Sequence, residues 1–224
     1  FNNEPFTKGI RTLNPIKPKN PEEMLNKVSE EVKNHKGKFI LGLGGDHSIT
    51  IGTIKGLDSI EKDFSVIFFD AHSDFRHSWN GSEINHACVA KQISKNHEVA
   101  IIGVRSQDIE EHKEIKENSN VHQLKAYEFN IEKLKEILPK LKKKVFISID
   151  VDVFDPSFIK NTGTPEPGGL QWNQIINALI EIFKEKDVIG ADIVEFTPNE
   201  NLESEAYSLA RLTYKIISLK FNNL

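Results

Sequence analysis

Apolar runs of strand length that alternate with helical patterns are the feature that most constrains the fold of this 224-residue chain. The runs contain almost no polar residues, which is typical of strands buried on both faces. They are KFILGL (38–43), FSVIFF (64–69), VAIIGV (99–104), VFISI (145–149) and VIGADIV (188–194). Helical patterns surround them, at 20–35, 49–57, 85–95, 107–117, 130–142, 171–185 and 202–220. This order predicts an α/β fold in which helices flank a mostly parallel sheet.

Composition excludes several classes of protein. The net charge is −4, and the acidic and basic residues are interleaved, so no basic stripe indicates a nucleic-acid partner. The apolar runs are too short to cross a bilayer, and FNNEPFTKGI lacks the apolar core of a signal peptide. The single cysteine, Cys88, cannot form an internal disulfide. We therefore expect a cytoplasmic protein with no nucleic-acid or membrane partner.

Charged or coordinating residues follow each predicted strand at its carboxyl end. His47 follows the first strand, Asp70 ends the second, Arg105 follows the third, Asp150 ends the fourth and Glu195 ends the fifth. Ligands of parallel sheets bind beyond the carboxyl ends of the strands. The sequence therefore predicts that these side chains meet at one edge of the sheet.

Three stretches supply a set of residues typical of metal ligands. LGLGGDHS (41–48), FFDAHSD (68–74) and SIDVD (148–152) together contain His47, Asp70, His72, Asp74, Asp150 and Asp152. Alternate residues point the same way if the backbone is extended. Four carboxylates without a cation would repel one another, whereas two divalent ions balance their charge. Oxygen ligands with two imidazoles favour two Mn²⁺ per subunit, with zinc, cobalt, nickel or iron as competitors.

The same stretches carry a family resemblance. GGDHS, DAHSD, SIDVDVFDP and NTGTPEPGGL resemble the signature regions of the ureohydrolases, the family of arginase and agmatinase, from Lys38 to about Leu219. The resemblance implies an arginase-like fold with three α/β/α layers, assembly into homotrimers or homohexamers, and hydrolysis of a guanidino group. It also implies these ligand roles: Asp70 and Asp150 bridge both ions, His47 and Asp74 complete one shell, and His72 and Asp152 complete the other.

The resemblance also suggests which residues act on the substrate. Glu195, in DIVEFTP, matches the family's guanidinium-binding carboxylate, and a carboxylate suits a paired contact with a guanidinium. Asp74, which would face a water shared by the two ions, is expected to pass a proton to the leaving amine. His86, in INHACV, is expected to be a proton shuttle, because an imidazole transfers protons near neutral pH.

The loop before His86 bears on the substrate. RHSWNGSEINHACV lacks the SGNLHG-like pattern of arginases and is more similar to archaeal-type agmatinases. We therefore expect agmatine to be hydrolysed to putrescine and urea, with Asp108 as a candidate partner for the distal ammonium. Arg76 could instead hold a carboxylate, which leaves arginase, guanidinobutyrase and formiminoglutamase activities open. A non-catalytic metal-binding member of the family is a further alternative, while a phosphoesterase is disfavoured because no GDxH–GNHE-like set occurs.

Two segments outside the metal motifs are also informative. Relatives usually begin with a strand and a glycine- and proline-rich loop, but residues 1–19 show no strand pattern. The interpretation is one ureohydrolase domain over residues 1–224 without this strand and loop, which leaves three explanations open: a truncated chain, missing residues, or absence of the family's first strand. Residues 162–169 are expected to form a loop over the site, with the role of Glu166 left open. Asp46 and Asp155 are expected to orient loops through hydrogen bonds.

Overall fold

Six parallel strands form one sheet in the computed structural model, which describes residues 5–199 and 203–221. The strand order is β1-β6-β5-β2-β3-β4, and every neighbouring pair is parallel. The strands are β1 (Ile40–Leu43), β2 (Phe64–Phe69), β3 (Val99–Val104), β4 (Val121–Lys125), β5 (Lys144–Asp150) and β6 (Asp187–Val194). This confirms the predicted parallel sheet, and it adds one strand, β4, that the apolar runs did not indicate.

Strand β4 was missed because polar residues interrupt its apolar pattern. Its sequence is VHQLK, in which only Val121 and Leu124 are buried. An edge strand has one neighbour and tolerates polar residues such as His122 and Gln123, so it lacks the continuous apolar run of a central strand.

Seven α-helices occur among the described residues: α2 to α6 connect successive strands, α1 precedes β1 and α7 follows β6. They are α1 (Pro21–Asn34), α2 (Ile49–Leu57), α3 (Val89–Ser94), α4 (Ile109–Glu117), α5 (Ile131–Ile137), α6 (Trp172–Glu185) and α7 (Glu203–Phe221). Helix α1 begins where the sequence predicts, because the side chain of Asn20 accepts a hydrogen bond from the N–H of Glu23 at 2.9 Å. Two predicted helices are partly 3₁₀, at His86–Cys88 and Leu138–Lys140.

The two faces of the sheet carry separate apolar cores. On one face, Ile67 and Ile147 pack in a cluster with residues of α5, α6 and α7. On the other face, Val66 and Phe68 pack in a cluster with residues of α1, α2, α3 and α4. Neighbouring residues of β2 thus serve opposite cores, as the pleat of a strand requires. The result is the three-layer α/β/α arrangement that the family resemblance implies.

The start of the chain carries little regular structure. Residues Pro5–Lys8 form a 3₁₀ turn, and no helix or strand follows before Pro21. The interpretation that a family strand is lacking concerns residues 1–19, of which 1–4 lie outside the described residues. Among the described helices, none has the length and apolarity needed to cross a bilayer.

Candidate metal centre

His47 lies between β1 and α2 with its ring fully buried. Its Nδ1 lies 3.0 Å from Oδ2 of Asp74, 3.3 Å from Oδ2 of Asp70 and 3.4 Å from Oδ2 of Asp150. Despite these distances, Nδ1 makes no hydrogen bond. A buried imidazole nitrogen that makes no hydrogen bond is costly, and a cation placed between it and these oxygens would remove that cost.

A second group of ligand atoms adjoins the first and shares Asp70 with it. Nδ1 of His72 lies 2.8 Å from Oδ2 of Asp152 and 3.7 Å from Oδ1 of Asp70. His47, Asp70 and Asp150 form one group that could hold a metal ion, and Asp70, His72 and Asp152 form the other. In each group the ligand atoms lie within 4.8 Å of one another. The two oxygens of Asp70 therefore face different groups, which is the arrangement that a bridging carboxylate needs.

The electrostatics of the cluster also fit bound cations. Burial raises the pKa of Asp70 and of Asp150 well above the usual range, and the charge of Asp152 raises both further. Burial alone would lower the pKa of His72, but its hydrogen bond to Asp152 and the charge of that residue raise it to about 9. Burial likewise opposes ionisation of Asp152, yet the same contact with His72 lowers its pKa. The carboxylates are thus crowded enough to need compensating positive charge, which two divalent ions would supply.

Tight turns, rather than extended backbone, bring the carboxylates together. Strand β2 ends at Phe69, and the N–H of His72 then donates to Oδ1 of Asp70 at 2.6 Å. Asp152 lies in a 3₁₀ turn, where its N–H donates to Oδ1 of Asp150 at 2.9 Å. The condition of an extended backbone, under which alternate residues were expected to point the same way, is not met. The side chains converge because each turn folds back on its own carboxylate.

Glu195 lies beside this cluster, immediately after β6. Its Oε1 accepts a hydrogen bond from the N–H of His47 at 2.5 Å, and burial raises its pKa. The backbone of Glu195 has φ of +63°, and that of Asp74 has φ of +47°. Non-glycine residues rarely adopt this left-handed conformation, and such strain clusters at functional sites. Both residues to which the sequence assigns a catalytic role in the cluster are therefore held in unfavourable backbone geometry.

His86 lies at the rim of the site, at the first position of the 3₁₀ turn before α3. Its Nδ1 is 3.2 Å from Oδ2 of Asp46, and both side chains are about half exposed. The other oxygen of Asp46 accepts from the N–H and hydroxyl of Ser48, the residue after His47. Asp46 thus orients the loop, as predicted, and links His86 to the start of α2.

Arg76 and Asp108, which were predicted to contact the distal end of the substrate, form an ion pair with each other. Nη2 of Arg76 lies 3.1 Å from Oδ2 of Asp108, and the guanidinium carbon lies 4.6 Å from the ring centroid of Trp79. Oδ1 of Asp108 caps α4 by accepting from the N–H groups of Glu110 and Glu111. A substrate ammonium would have to compete with Arg76, so the roles of both residues stay predictions.

A polar chain behind His47 was not predicted. Nε2 of His47 lies 3.0 Å from Oγ of Ser148, which lies 3.3 Å from Oγ1 of Thr50. Thr50 donates to Oδ2 of Asp192 at 2.9 Å, and burial raises the pKa of Asp192 to about 6. The chain fixes the ring of His47 from behind. The available signal was Asp192 itself, an acidic residue within the otherwise apolar run VIGADIV.

The sequence and the fold match known proteins. Residues 7–218 match the model of the arginase family, so the chain belongs to the arginase family. It is 35% identical to the N(1)-aminopropylagmatine ureohydrolase of Thermus thermophilus, over 89% of this chain and 69% of that protein. It is 39% identical to the agmatinase of Pyrococcus horikoshii, over 79% of this chain and 61% of that protein. The chain therefore spans only part of the length of either relative.

Solved structures give the same result for the fold. The crystal structure of agmatine ureohydrolase of Thermoplasma volcanium is 28% identical, with a TM-score of 0.78 over 92% of this chain and 71% of that one. Formimidoylglutamase from Bacillus subtilis is 26% identical, also with a TM-score of 0.78, over 91% of this chain and 68% of that one. These likenesses confirm the predicted arginase-like fold.

Proposed function

We propose that this chain is a manganese-dependent ureohydrolase that cleaves agmatine to putrescine and urea. The observation that carries the proposal is the shared position of Asp70, whose two oxygens face two groups of candidate metal ligands, next to Nδ1 of His47, which lies among carboxylates but makes no hydrogen bond. The ligands would be His47, Asp70, Asp74 and Asp150 for one ion, and Asp70, His72, Asp150 and Asp152 for the other. Two divalent ions held there would lower the pKa of a shared water and supply hydroxide near neutral pH.

Glu195 is suited to bind the guanidinium of the substrate. Its Oε1 is held by the N–H of His47, so the carboxylate has a fixed position relative to a metal ligand. A guanidinium forms paired, charge-assisted hydrogen bonds with a carboxylate. The substrate carbon would thereby be held next to the metal centre, and such positioning accelerates attack on a poor electrophile.

Asp74 and His86 are suited to move the protons of the reaction. Oδ2 of Asp74 lies 3.0 Å from Nδ1 of His47, so its carboxylate faces the centre and could pass a proton to the leaving amine. His86 is half exposed and lies 3.2 Å from Asp46, so its imidazole contacts both solvent and the loop that carries His47. An imidazole there can exchange protons with solvent near neutral pH.

A second substrate is favoured by the comparisons. The relatives include N(1)-aminopropylagmatine ureohydrolases from Thermus thermophilus and Thermococcus kodakarensis as well as agmatinases. Both named substrates carry a guanidinium at one end and an amine rather than a carboxylate at the other. N(1)-aminopropylagmatine is therefore the second candidate.

The test is urea release from a panel of guanidino and related compounds by the protein freed of metal and reconstituted with manganese. The panel contains agmatine, N(1)-aminopropylagmatine, arginine and 4-guanidinobutyrate, with formiminoglutamate assayed by its own product. We expect kcat/KM to be highest for an amine-ended substrate. Equal or higher kcat/KM with arginine would reject the agmatine assignment. Two bound metal ions with no turnover of any compound would support a non-catalytic role.

Reconstitution with zinc, cobalt, nickel or iron tests the metal in the same assay. The predicted homotrimer or homohexamer and the cytoplasmic location stay predictions. Light scattering coupled to size-exclusion chromatography measures the first, and fractionation of the source cells measures the second.

A further inference from the structure

Arg105, the residue immediately after β3, has an unusual set of partners. Its guanidinium makes hydrogen bonds with six backbone carbonyls: those of Gly103, Asp152, Val153, Phe154, Glu166 and Pro167. The shortest, at 2.7 Å each, join Nη2 to the carbonyls of Asp152 and Glu166. A half-buried guanidinium that is surrounded by carbonyls holds backbone segments in place, and only arginine offers five donors in a rigid plane.

The segments that Arg105 joins are both at the metal centre. One is the 3₁₀ turn that contains Asp152, whose side chain lies 2.8 Å from Nδ1 of His72. The other is the loop of residues 162–169, hereafter the TPEP loop. Nε and Nη2 of Arg105 reach this loop at the carbonyls of Glu166 and Pro167.

Asp155 binds the same loop through backbone N–H groups rather than carbonyls. Its Oδ2 accepts from the N–H of Gly168 at 2.9 Å and from the N–H of Gly169 at 3.1 Å. Asp155 accepts hydrogen bonds that lower its pKa to about 2, and the hydroxyl of Ser157 contributes most to this shift. Gly169 also packs so closely that a Cβ there would lie 2.5 Å from the carbonyl carbon of Phe154. The loop is thus fixed through its carbonyls by a cation and through its N–H groups by an anion.

The loop places one charged group near the centre. Oε1 of Glu166 lies 3.9 Å from Nε2 of His72, the ring nitrogen opposite the one that faces Asp152. At this distance the contact is electrostatic rather than a hydrogen bond. The contacts that fix the loop therefore affect His72 through Glu166. The contacts that fix the 3₁₀ turn affect it through Asp152.

We infer that Arg105 and Asp155 are positioning residues that clamp the TPEP loop and so set the geometry of His72 and its group of ligands. Neither side chain belongs to the proposed ligand set. The clamp affects the ligand group of His72 and not that of His47, because Nε2 of His47 is held separately by Oγ of Ser148. The inference rests on the metal centre proposed above.

The experiment compares Arg105→Lys and Asp155→Asn with the unaltered protein, and uses Arg211→Lys, at an exposed arginine of α7, as the control. Amide hydrogen exchange is measured on the metal-free proteins, and manganese affinity by competition with a chelator. In both variants we expect the TPEP loop to exchange at least tenfold faster while β2 exchanges at the original rate. In both variants we expect one of the two manganese equivalents to lose about 10- to 100-fold in affinity while the other keeps its affinity.

Each outcome decides the inference. Unchanged exchange in the TPEP loop overturns it, as does faster exchange spread equally over the loop and β2. Equal weakening of both manganese equivalents in Arg105→Lys overturns the selectivity for His72. If Arg105→Lys yields no folded protein, loop exchange in Asp155→Asn decides alone. Failure of the unaltered protein to bind two ions or release urea would contradict the proposed function and leave the metal-free exchange result intact.

Discussion

The backbone N–H of His47 donates a hydrogen bond to Oε1 of Glu195, 148 residues further along the chain, at 2.5 Å. One residue is a proposed metal ligand and the other the proposed guanidinium partner. The contact is possible because β1 and β6 are neighbours, so the residues that follow both strands meet at the same edge. A substrate bound by Glu195 would thereby have a fixed position relative to a metal bound by His47.

This contact predicts the effect of Glu195→Gln. The variant keeps an acceptor for His47 but removes the negative charge, so the charge-assisted contact with a guanidinium is lost. Such contacts contribute about 1.5–3 kcal/mol, which corresponds to a decrease of about 10- to 100-fold in kcat/KM. Steady-state kinetics with agmatine measure this, and metal analysis should still find two ions. Glu30→Gln, at an exposed position of α1, is the matched control. Loss of metal together with activity would place Glu195 among the ligands instead.

Because both groups of ligands share Asp70, we expect Asp70→Asn to be more stable than the unaltered protein without manganese and less stable with it. Without metal, the variant should unfold at a higher temperature than the unaltered protein, because a buried carboxylate next to other carboxylates has become neutral. With manganese, the unaltered protein should be the more stable one, since metal at 100 times Kd contributes about 2.7 kcal/mol. Thermal unfolding with and without manganese measures both.

Asp63→Asn, at an exposed carboxylate, is the control for that experiment. A variant of Asp70 that still bound two ions with the original affinity would contradict a bridging role. A variant less stable than the unaltered protein in the absence of metal would show that the cluster is not held under charge repulsion.

Most strands were predictable from sequence because they are continuous apolar runs, and in β2 and β3 that apolarity follows from burial. Every residue of β2 and of β3 is buried, so the apolar run in the sequence begins and ends where each strand does. Strand β4 was not predictable in the same way, because its edge position leaves His122 and Gln123 partly exposed. The ligand set was accessible because aspartate and histidine at strand ends are conspicuous. The turns that bring Asp150 and Asp152 together were not, since they depend on carboxylate contacts with the backbone.

The supports of the site were the least predictable part. Arg105 was noticed only as a charged residue after a strand, and its partners are neutral carbonyls of distant residues. Ser148 was hidden because a serine in a strand is usually read as a small core residue. Backbone acceptors and hydroxyls leave no signature in a sequence, so this layer required the structure.

His86→Asn should separate proton transfer from binding. A positioned general acid or base contributes about 10²- to 10⁴-fold, and asparagine cannot exchange a proton near neutral pH. We expect kcat to fall by about 100-fold or more, with two metal ions retained and KM changed little. Part of the lost kcat should return when imidazole is added to the buffer. His112→Asn, at an exposed histidine of α4, is the control. Unchanged kcat would exclude His86 from proton transfer.

Arg76→Gln tests whether Asp108 meets the substrate. The change removes the cation that lies 3.1 Å from Oδ2 of Asp108 and leaves that oxygen available. If Asp108 contacts the distal ammonium, KM for agmatine should fall. The decrease should not exceed about fivefold, because partly exposed ion pairs contribute only about 0–1 kcal/mol. KM for arginine, whose carboxylate Arg76 could hold, should rise or stay constant. A higher KM for agmatine would mean that Arg76 supports the pocket rather than blocking Asp108.

Asp192 predicts how the stability of the metal-free protein changes with pH. Its native pKa of about 6 lies above the usual 3.8, so between about pH 4 and 6 the folded state binds a proton that the unfolded state has lost. The free energy of unfolding therefore decreases as pH rises through this range, by about 3 kcal/mol from this residue, and is then constant. Because other buried carboxyls also titrate, the quantity to measure is the difference between the unaltered protein and Asp192→Asn. Urea unfolding at pH 4.5 and pH 7 should show that asparagine, which can still accept from Thr50, is relatively more stabilising at pH 7. The same difference at both pH values would show that Asp192 stays ionised in the folded protein, despite its burial.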